Sequence, residues 1–155
     1  MPLLRAALSW NFVLATAVCA SLLAQLIKVL LNLFIFHRFI AERMWGAGGM
    51  PSSHSATVCA MVVATGRYCG VSSPTFAIAA VLSIIVMYDA MGVRYETGEQ
   101  AKVLNRLFTE WMDQGIEQFQ FLHGKKLKEM VGHTPIEVLT GAALGIVLGF
   151  AMPMV

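Results

Sequence analysis

Two short polar motifs each bring a histidine to the expected start of an apolar segment: P-S-S-H at residues 51–54 and G-H-T-P-I-E at residues 132–137. His133 and Glu137 are four residues apart, so on a helix both side chains project from one face. The carboxylate can then orient the imidazole and leave its other ring nitrogen available as a base or a nucleophile. Such pairs also arise by accident, so further polar partners are needed to indicate a site.

Those partners occur at the end of another apolar segment, where Asp89 and Arg94 stand on the same predicted membrane boundary as both motifs. The helix expected after Pro51 presents unpaired amide groups and the positive end of its dipole at this boundary, which favours an anion. Two histidines, an arginine and carboxylates at one boundary indicate an active site. Phosphate is the ligand that fits this combination best.

The composition places these residues in a membrane protein. Of 155 residues, 57% are hydrophobic and 13% charged, with a formal net charge of +2 and a mean hydropathy of +0.69. Water-soluble domains carry about a quarter charged residues. At about 20 residues per helical crossing, the chain has room for four or five spans and none for a large extramembrane domain.

Other classes of site are poorly supported. Cys19, Cys59 and Cys69 lie in apolar stretches at spacings that match neither a zinc site nor a C-x-x-C pair, so we interpret them as small core residues. No Gly-rich loop ending in Gly-Lys-Ser is present, and the basic excess is small and scattered. We expect no nucleic-acid partner, no cofactor and no metal.

Hydrophobic segments and turn signals define the elements that must position the site. Glycines and Pro51 precede the second segment, G-V-S-S-P separates the second from the third, and a basic cluster precedes the last. We predict an all-α integral membrane protein with a single domain, 1–155: a small bundle of about four transmembrane helices at about 12–36, 53–68, 75–93 and 135–155, plus an amphipathic interfacial helix at about 98–123.

The distribution of cations predicts the orientation. With four crossings, eight cations lie near one face and two, Arg5 and Arg67, near the other. The positive-inside bias then places the site in the cytoplasm and both termini outside it, in what we predict to be a bacterial inner membrane. The eight are Arg38, Arg43, Arg94, Lys102, Arg106, Lys125, Lys126 and Lys128.

Glycines recur every four residues in the last segment, at Gly141, Gly145 and Gly149. Small residues at this spacing let helices approach closely. The pattern fits a homo-oligomer interface and packing within one chain equally well, and the sequence does not decide between them.

Three segments together resemble the divergent branch of the type 2 phosphatidic acid phosphatase superfamily, which also includes vanadium haloperoxidases. They are G-G-M-P-S-S-H-S-A at 48–56, D-A-M-G-V-R at 89–94 and G-H-T-P-I-E-V-L-T-G at 132–141. The superfamily pattern is a lysine-arginine motif, then P-S-G-H, then S-R-x5-H-x3-D. The order of the motifs is specific, and the resemblance extends from Gln25 to Gly149.

The resemblance implies roles for the residues that match these motifs. His133 would attack phosphorus and become a phosphohistidine, with Glu137 in the place of the orienting aspartate, and His54 would be the general acid for the leaving alcohol. Covalent catalysis of this kind divides one displacement into two easier steps and needs no metal. Ser52 and Ser53 would donate hydrogen bonds to the phosphoryl oxygens.

The chain departs from the superfamily pattern in its first and third motifs. Lys28 matches the phosphate-binding lysine, but the Arg-Pro end of that motif is missing. The third motif is split: R-Y-E-T-G-E-Q begins at Arg94, the expected phosphate clamp, and has Gln100 where a histidine belongs. Asp89 and Glu99 either brace Arg94 or cap their helices.

The leading hypothesis is a metal-independent phosphatase for a lipid or isoprenoid phosphate at the cytoplasmic leaflet, in contact with membrane lipids. One alternative is a non-catalytic anion-binding or transport bundle built on Lys28, Asp89 and the histidines. Another is an inactive relative, since glutamate at 137 is one methylene longer than aspartate. Magnesium dependence would instead point to a metal site at Asp89, Glu96 and Glu99.

Overall fold

The fold is a bundle of helices. In this computed structural model the described residues are 11–36, 49–113, 126–129 and 131–154, and they include no strand. In chain order the helices are α1 (Phe12–Phe36), α2 (Ser53–Cys69), α3 (Pro74–Met91), α4 (Val93–Asp113) and α5 (Pro135–Ala151).

Hydroxyl side chains fix the starts of three helices. Ser52, Ser73 and Thr134 are the N-caps of α2, α3 and α5, and each accepts a hydrogen bond from a backbone N–H in the first turn. In α3 and α5 a proline follows the cap, where its missing N–H costs nothing. At the other end of α2, Gly70 has a φ of 82°, which favours glycine.

Helix α2 is the centre of the bundle and packs against α1, α3 and α5. Its contact with α1 is made of small side chains, Ala20 and Ala24 on α1 against Ala56 and Ala60 on α2, all fully buried. Small residues allow close backbone approach, which is how helices gain packing energy where lipid surrounds them. Leu144 and Leu148 of α5 fill the remaining space.

The glycine stripe of α5 faces α2. A Cβ atom at Gly141 would overlap the backbone of Ser52, and one at Gly145 would overlap the carbonyl of Ala56. These contacts run in the same order along both helices, so α2 and α5 are parallel. In this structure the stripe therefore serves packing within the chain, the second of the two interpretations that the sequence left open.

Arg67 closes the end of the bundle away from the two histidines. Its Nη1 donates to the carbonyl oxygens of Gly149, Phe150 and Met152, at 2.6, 3.1 and 2.8 Å. These are carbonyl groups at the end of α5, which carry the negative end of the helix dipole and lack partners within the helix. Arg67 thus ties the C-terminal ends of α2 and α5 together.

Large apolar side chains cover the outside of the bundle, among them Leu22 on α1, Ile78 on α3 and Val147 on α5. Two helical stretches are long and apolar enough to cross a bilayer, Phe12–Phe34 and Pro74–Trp111, and α5 is apolar but shorter. The chain therefore has the architecture of a membrane helical bundle. The number of crossings stays a prediction, since α2 is shorter and less apolar than α1.

The junction of α3 and α4 differs from the predicted one. The sequence predicts that the third segment extends to about residue 93 and that the amphipathic helix begins at about 98, whereas α3 ends at Met91 and α4 begins at Val93. Gly92 alone separates them: its N–H bonds to the carbonyl of Tyr88, and its own carbonyl accepts from Glu96. The part of the predicted amphipathic helix at 114–123 lies outside the described residues.

Candidate active site

His133 and Glu137 form a buried pair. Nδ1 of His133 lies 3.1 Å from Oε2 of Glu137, with the histidine side chain 2% and the glutamate side chain 20% exposed. Nε2 of His133 is buried and has no hydrogen-bond partner among the described residues. A contact at one ring nitrogen fixes the orientation of the ring, so the other nitrogen is the one available for chemistry.

The start of α5 explains why the two side chains meet. Thr134 caps the helix, Pro135 follows, and Glu137 accepts a hydrogen bond from the backbone N–H of Thr134 at 3.1 Å, which completes a capping box. The same Oε2 atom contacts His133. One carboxylate therefore stabilises the helix start and orients the imidazole.

His54 faces His133 from the first turn of α2. The two ring centroids are 6.0 Å apart and the rings are inclined at 65°. His54 is exposed whereas His133 is 1% exposed, so one imidazole can exchange protons with solvent and the other is shielded. The pair lies at the parallel N-terminal ends of α2 and α5.

Arg94 forms the third side of the site. Its Nε donates to Oδ2 of Asp89 at 2.5 Å, across the junction between α3 and α4. Because only Nε is used in this bond, the two Nη groups of Arg94 remain able to bind an anion. Both side chains are more than a third exposed, 49% for Arg94 and 38% for Asp89.

A small pocket lies between these groups. It has a volume of about 10 Å³ and is lined by His54, Val86, Ala90, Arg94 and His133. A space of this size admits one water-sized group. A larger ligand could therefore place only its end in this pocket.

The backbone around His133 is held against the α3–α4 junction. The N–H of His133 donates to the carbonyl of Ala90 at 3.1 Å. Gly132 lies so close to the backbone of Arg94 and Tyr95 that a Cβ atom would overlap both. This contact brings the histidine of one motif beside the arginine of another, which sequence spacing cannot show.

Lys28 is a buried lysine close to the site. It is 2% exposed, its side chain packs against Gly49, and it interacts electrostatically with Glu137 and His54. It is not among the residues that line the pocket. The structure thus brings Lys28 to the site as a buried side chain that interacts with the carboxylate of Glu137.

Ser52 and Ser53 are buried at the start of α2 and do not line the pocket. Ser52 Oγ accepts hydrogen bonds from the N–H and the hydroxyl of Ser55, at 3.3 and 3.1 Å. Its backbone N–H donates to the carbonyl of Glu137 at 2.9 Å. The hydroxyl of Ser52 therefore caps α2, and its backbone N–H joins the start of α2 to the start of α5.

Two further residues singled out in the sequence lie away from the pocket. Glu99 forms an ion pair with Lys102 at 2.6 Å. Asp89, and not Glu99, is the carboxylate that pairs with Arg94. Gln100 is exposed on α4 and does not line the pocket.

In the described part of the chain, no three histidine, cysteine, aspartate or glutamate side chains come together in a group that could hold a metal ion. Asp89, Glu96 and Glu99 therefore do not form the metal site that the magnesium alternative requires.

Several residues that build the site were not singled out from the sequence. Thr134 had a readable signal, because threonine three residues before glutamate is the capping-box pattern. Val86 and Ala90 carried no signal, since they look like any residue of an apolar helix. Gly49, which lies against the Lys28 side chain, was visible only as one of the glycines before Pro51.

These features define an all-helical membrane protein with a histidine–glutamate site at one end of the bundle. The sequence matches the Divergent PAP2 family over residues 9–148, and the chain belongs to that family. It is also 39% identical over 144 residues to the uncharacterized membrane protein YuiD of Bacillus subtilis (strain 168), a match that covers 89% of this chain and 91% of YuiD. No solved structure matches the chain significantly.

Proposed function

We propose that the protein is a membrane-embedded phosphatase that hydrolyses a lipid or isoprenoid phosphate through a phosphohistidine at His133. The observation that carries this proposal is the buried imidazole, oriented through Nδ1 by Glu137, with its unpaired Nε2 beside His54 and Arg94. Membership of a PAP2-related family supports the same reaction.

In the first step Nε2 of His133 attacks phosphorus and the bond to the leaving alkoxide breaks. Glu137 holds the proton on Nδ1 and stabilises the positive charge that develops on the ring. Protonated His54 donates its proton to the alkoxide oxygen, which leaves as an alcohol. The Nη groups of Arg94 bind the non-bridging oxygens, whose charge must be stabilised throughout.

In the second step water attacks the phosphohistidine. His54, now neutral, accepts a proton from the water, the bond between phosphorus and Nε2 breaks, and inorganic phosphate leaves. His54 thus acts as acid and then as base, as microscopic reversibility requires. Lys28, which interacts electrostatically with His54, adds positive potential, and the amide groups near Ser52 and Ser53 add the field of a helix start.

The shape of the site supports a phosphate at the end of an apolar molecule. A pocket that admits one water-sized group can take one phosphoryl oxygen, and the rest of the phosphoryl group then lies at the mouth of the pocket, beside the exposed side chains of His54 and Arg94. The outer surfaces of α1, α3 and α5 are apolar, so the rest of the substrate can remain in lipid. Phosphatidate, phosphatidylglycerol phosphate and polyprenyl mono- or diphosphates all have this form, and the charge distribution favours the cytoplasmic leaflet.

The test is phosphate release by purified protein in liposomes, across a panel of these four substrates, with His133→Ala alongside. We expect metal-independent release that vanadate inhibits and that His133→Ala loses, while the variant keeps its elution volume and melting temperature. Full activity in His133→Ala would contradict the mechanism. Phosphate binding without release would favour the anion-binding bundle, for which the buried Lys28 is the supporting observation.

A further inference from the structure

We propose that Asn105 on α4 is a positioning residue for His133: its side chain holds the chain segment that leads into the site. This inference rests on the proposed function for its catalytic consequence and on the contacts of Asn105 for its structural part. The segment consists of residues 126–129 and 131–133 and is called the return segment below.

The side-chain amide of Asn105 bonds to both backbone groups of one residue of the return segment, as a paired β-strand would. Its Nδ2 donates to the carbonyl of Leu127 at 2.9 Å, and its Oδ1 accepts from the N–H of Leu127 at 2.9 Å. Nδ2 also donates to Oε1 of Glu129 at 2.8 Å. A primary amide is the side chain that offers a donor and an acceptor in this arrangement.

From Asn105 the return segment follows α4 toward the pocket. Gly98, two turns nearer the start of α4, is in close contact with the carbonyl of Glu129. Gly132 then packs on the backbone at the start of α4, and the N–H of His133 bonds to Ala90. Glycines at both close contacts let the backbones touch, so the path of the segment is set by α4.

The return segment depends on Asn105 because it has little burial of its own. Residues 126–129 are exposed, and Leu127 is 42% exposed. Ordering an exposed segment costs conformational entropy. The three hydrogen bonds can offset this cost because they all come from one side chain, Asn105, whose backbone is fixed in a helix. Loss of Asn105 should therefore release residues 126–129 and loosen His133.

These bonds are not those of a helix-stabilising residue. They connect positions 22 and 24 residues apart in sequence. Thr109, one turn further along α4, offers the contrast: it is exposed, and its hydroxyl bonds to the carbonyl of Asn105 within the same helix. Thr109→Ala is therefore a matched control that removes a hydrogen bond of α4 without touching the return segment.

The experiment compares wild type, Asn105→Ala, Asn105→Asp and Thr109→Ala in liposomes. Asn105→Asp keeps the volume and the acceptor but loses the donor. Backbone hydrogen exchange is measured over residues 126–133 and over α1 and α2, together with kcat and KM. We expect exchange over 126–133 to rise at least tenfold in Asn105→Ala, with α1 and α2 unchanged.

We expect kcat of Asn105→Ala to fall about 10- to 100-fold, with KM within about threefold, because a displaced nucleophile still permits binding. Asn105→Asp, which places a carboxylate oxygen against the Leu127 carbonyl and the Glu129 carboxylate, should lose at least as much as Asn105→Ala in both measurements, and Thr109→Ala should match wild type. Unchanged exchange or unchanged kcat in Asn105→Ala and Asn105→Asp would overturn the inference, as would exchange that rises equally across α1 and α2.

Exchange needs no substrate, so the two proposals fail separately. If wild type releases no phosphate but exchange over 126–133 still rises in the variants, the phosphatase proposal fails and the attachment of the return segment by Asn105 is supported. If wild type is active and Asn105→Ala matches it in kcat, the positioning proposal fails and the phosphatase proposal stands.

Discussion

The backbone carbonyl of Glu137 accepts a hydrogen bond from the N–H of Ser52 at 2.9 Å, which joins the first turn of α5 to the start of α2. His133 precedes α5 and His54 lies in the first turn of α2, so this bond connects the supports of the two histidines. Close contact between Gly141 and the backbone of Ser52 lies next to it. The backbone segments that carry the two rings, whose centroids are 6.0 Å apart, are thus joined by direct contacts.

Glu137→Gln should separate the charge of Glu137 from its role in the fold. The amide oxygen can still accept from the N–H of Thr134, so the unfolding free energy should change by less than about 1 kcal/mol. The negative charge beside His133 is lost, so kcat for phosphate release should fall about 10²- to 10⁴-fold. Steady-state kinetics and thermal unfolding in detergent measure the two effects.

Thr134→Ala is the control for that variant. It removes the N-cap of α5, at a cost of about 1 kcal/mol in stability, and leaves the carboxylate beside His133. We expect a lower melting temperature with most of the activity retained. Equal losses of kcat in Glu137→Gln and Thr134→Ala would contradict a specific role for the charge.

His54→Ala should slow the first step, formation of the phosphohistidine, and should slow it more when the leaving group is more basic. A general acid contributes about 10²- to 10⁴-fold to expulsion of an alkoxide, and little to expulsion of a nitrophenolate that needs no proton. The comparison is between a lipid phosphate and p-nitrophenyl phosphate in a single-turnover experiment. The same loss with both substrates would rule out general-acid catalysis by His54.

Arg94→Lys should weaken phosphate binding even though the charge is kept. The guanidinium is anchored through Nε by Asp89, and its Nη groups are positioned as a planar fork, which an ammonium group cannot reproduce. We expect kcat/KM to fall about 10- to 100-fold, the equivalent of one charged hydrogen bond. Inhibition by vanadate should weaken in parallel, and undiminished inhibition would count against Arg94 as the clamp.

Gly145→Ala should destabilise the bundle. A Cβ atom at this position overlaps the carbonyl of Ala56, so the helices must move apart at a cost of about 1–3 kcal/mol. Helix propensity alone predicts the opposite result, because alanine stabilises a helix relative to glycine. A loss of stability would therefore indicate the contact with α2. Unfolding in detergent is the measurement, with Ala143→Val on the exposed side of α5 as the control. A change of oligomeric state without loss of stability would favour the homo-oligomer interpretation.

The helices were largely predictable because their physical signals are local. Apolar runs of membrane length, a serine and a proline at the start of α3, and the histidine motifs at the starts of α2 and α5 are all signals within a few residues of each other. The start of α4 was less predictable, because a glycine such as Gly92 is typical of a helix end, whereas here it joins two helices. The N–H of Gly92 bonds to Tyr88 in α3 and its carbonyl accepts from Glu96 in α4, so the helical hydrogen bonding continues across the junction. Composition does not reveal these bonds.

The site was predictable where residues close in sequence meet, as with Glu137 in the first turn of α5 and His133 just before its N-cap. The site was not predictable where packing of the helices brings together residues that are distant in sequence. Lys28 proves to be a neighbour of Glu137, and Asn105 contacts Leu127, 22 residues away. Such contacts depend on how helices pack, and a single polar residue on an amphipathic helix gives no sign of its partner.

The central claim is a covalent phosphoryl group on Nε2 of His133. The most direct test is to mix the His54→Ala variant with a ³²P-labelled aryl phosphate and to quench the reaction rapidly. The aryl group leaves without an acid, and hydrolysis then lacks its base, so the intermediate should accumulate. We predict label that is stable to alkali and lost in acid, located on the peptide that contains His133, and absent from His54→Ala/His133→Ala. Release of the phenol with no bound label, or label that persists in the double variant, would contradict the account.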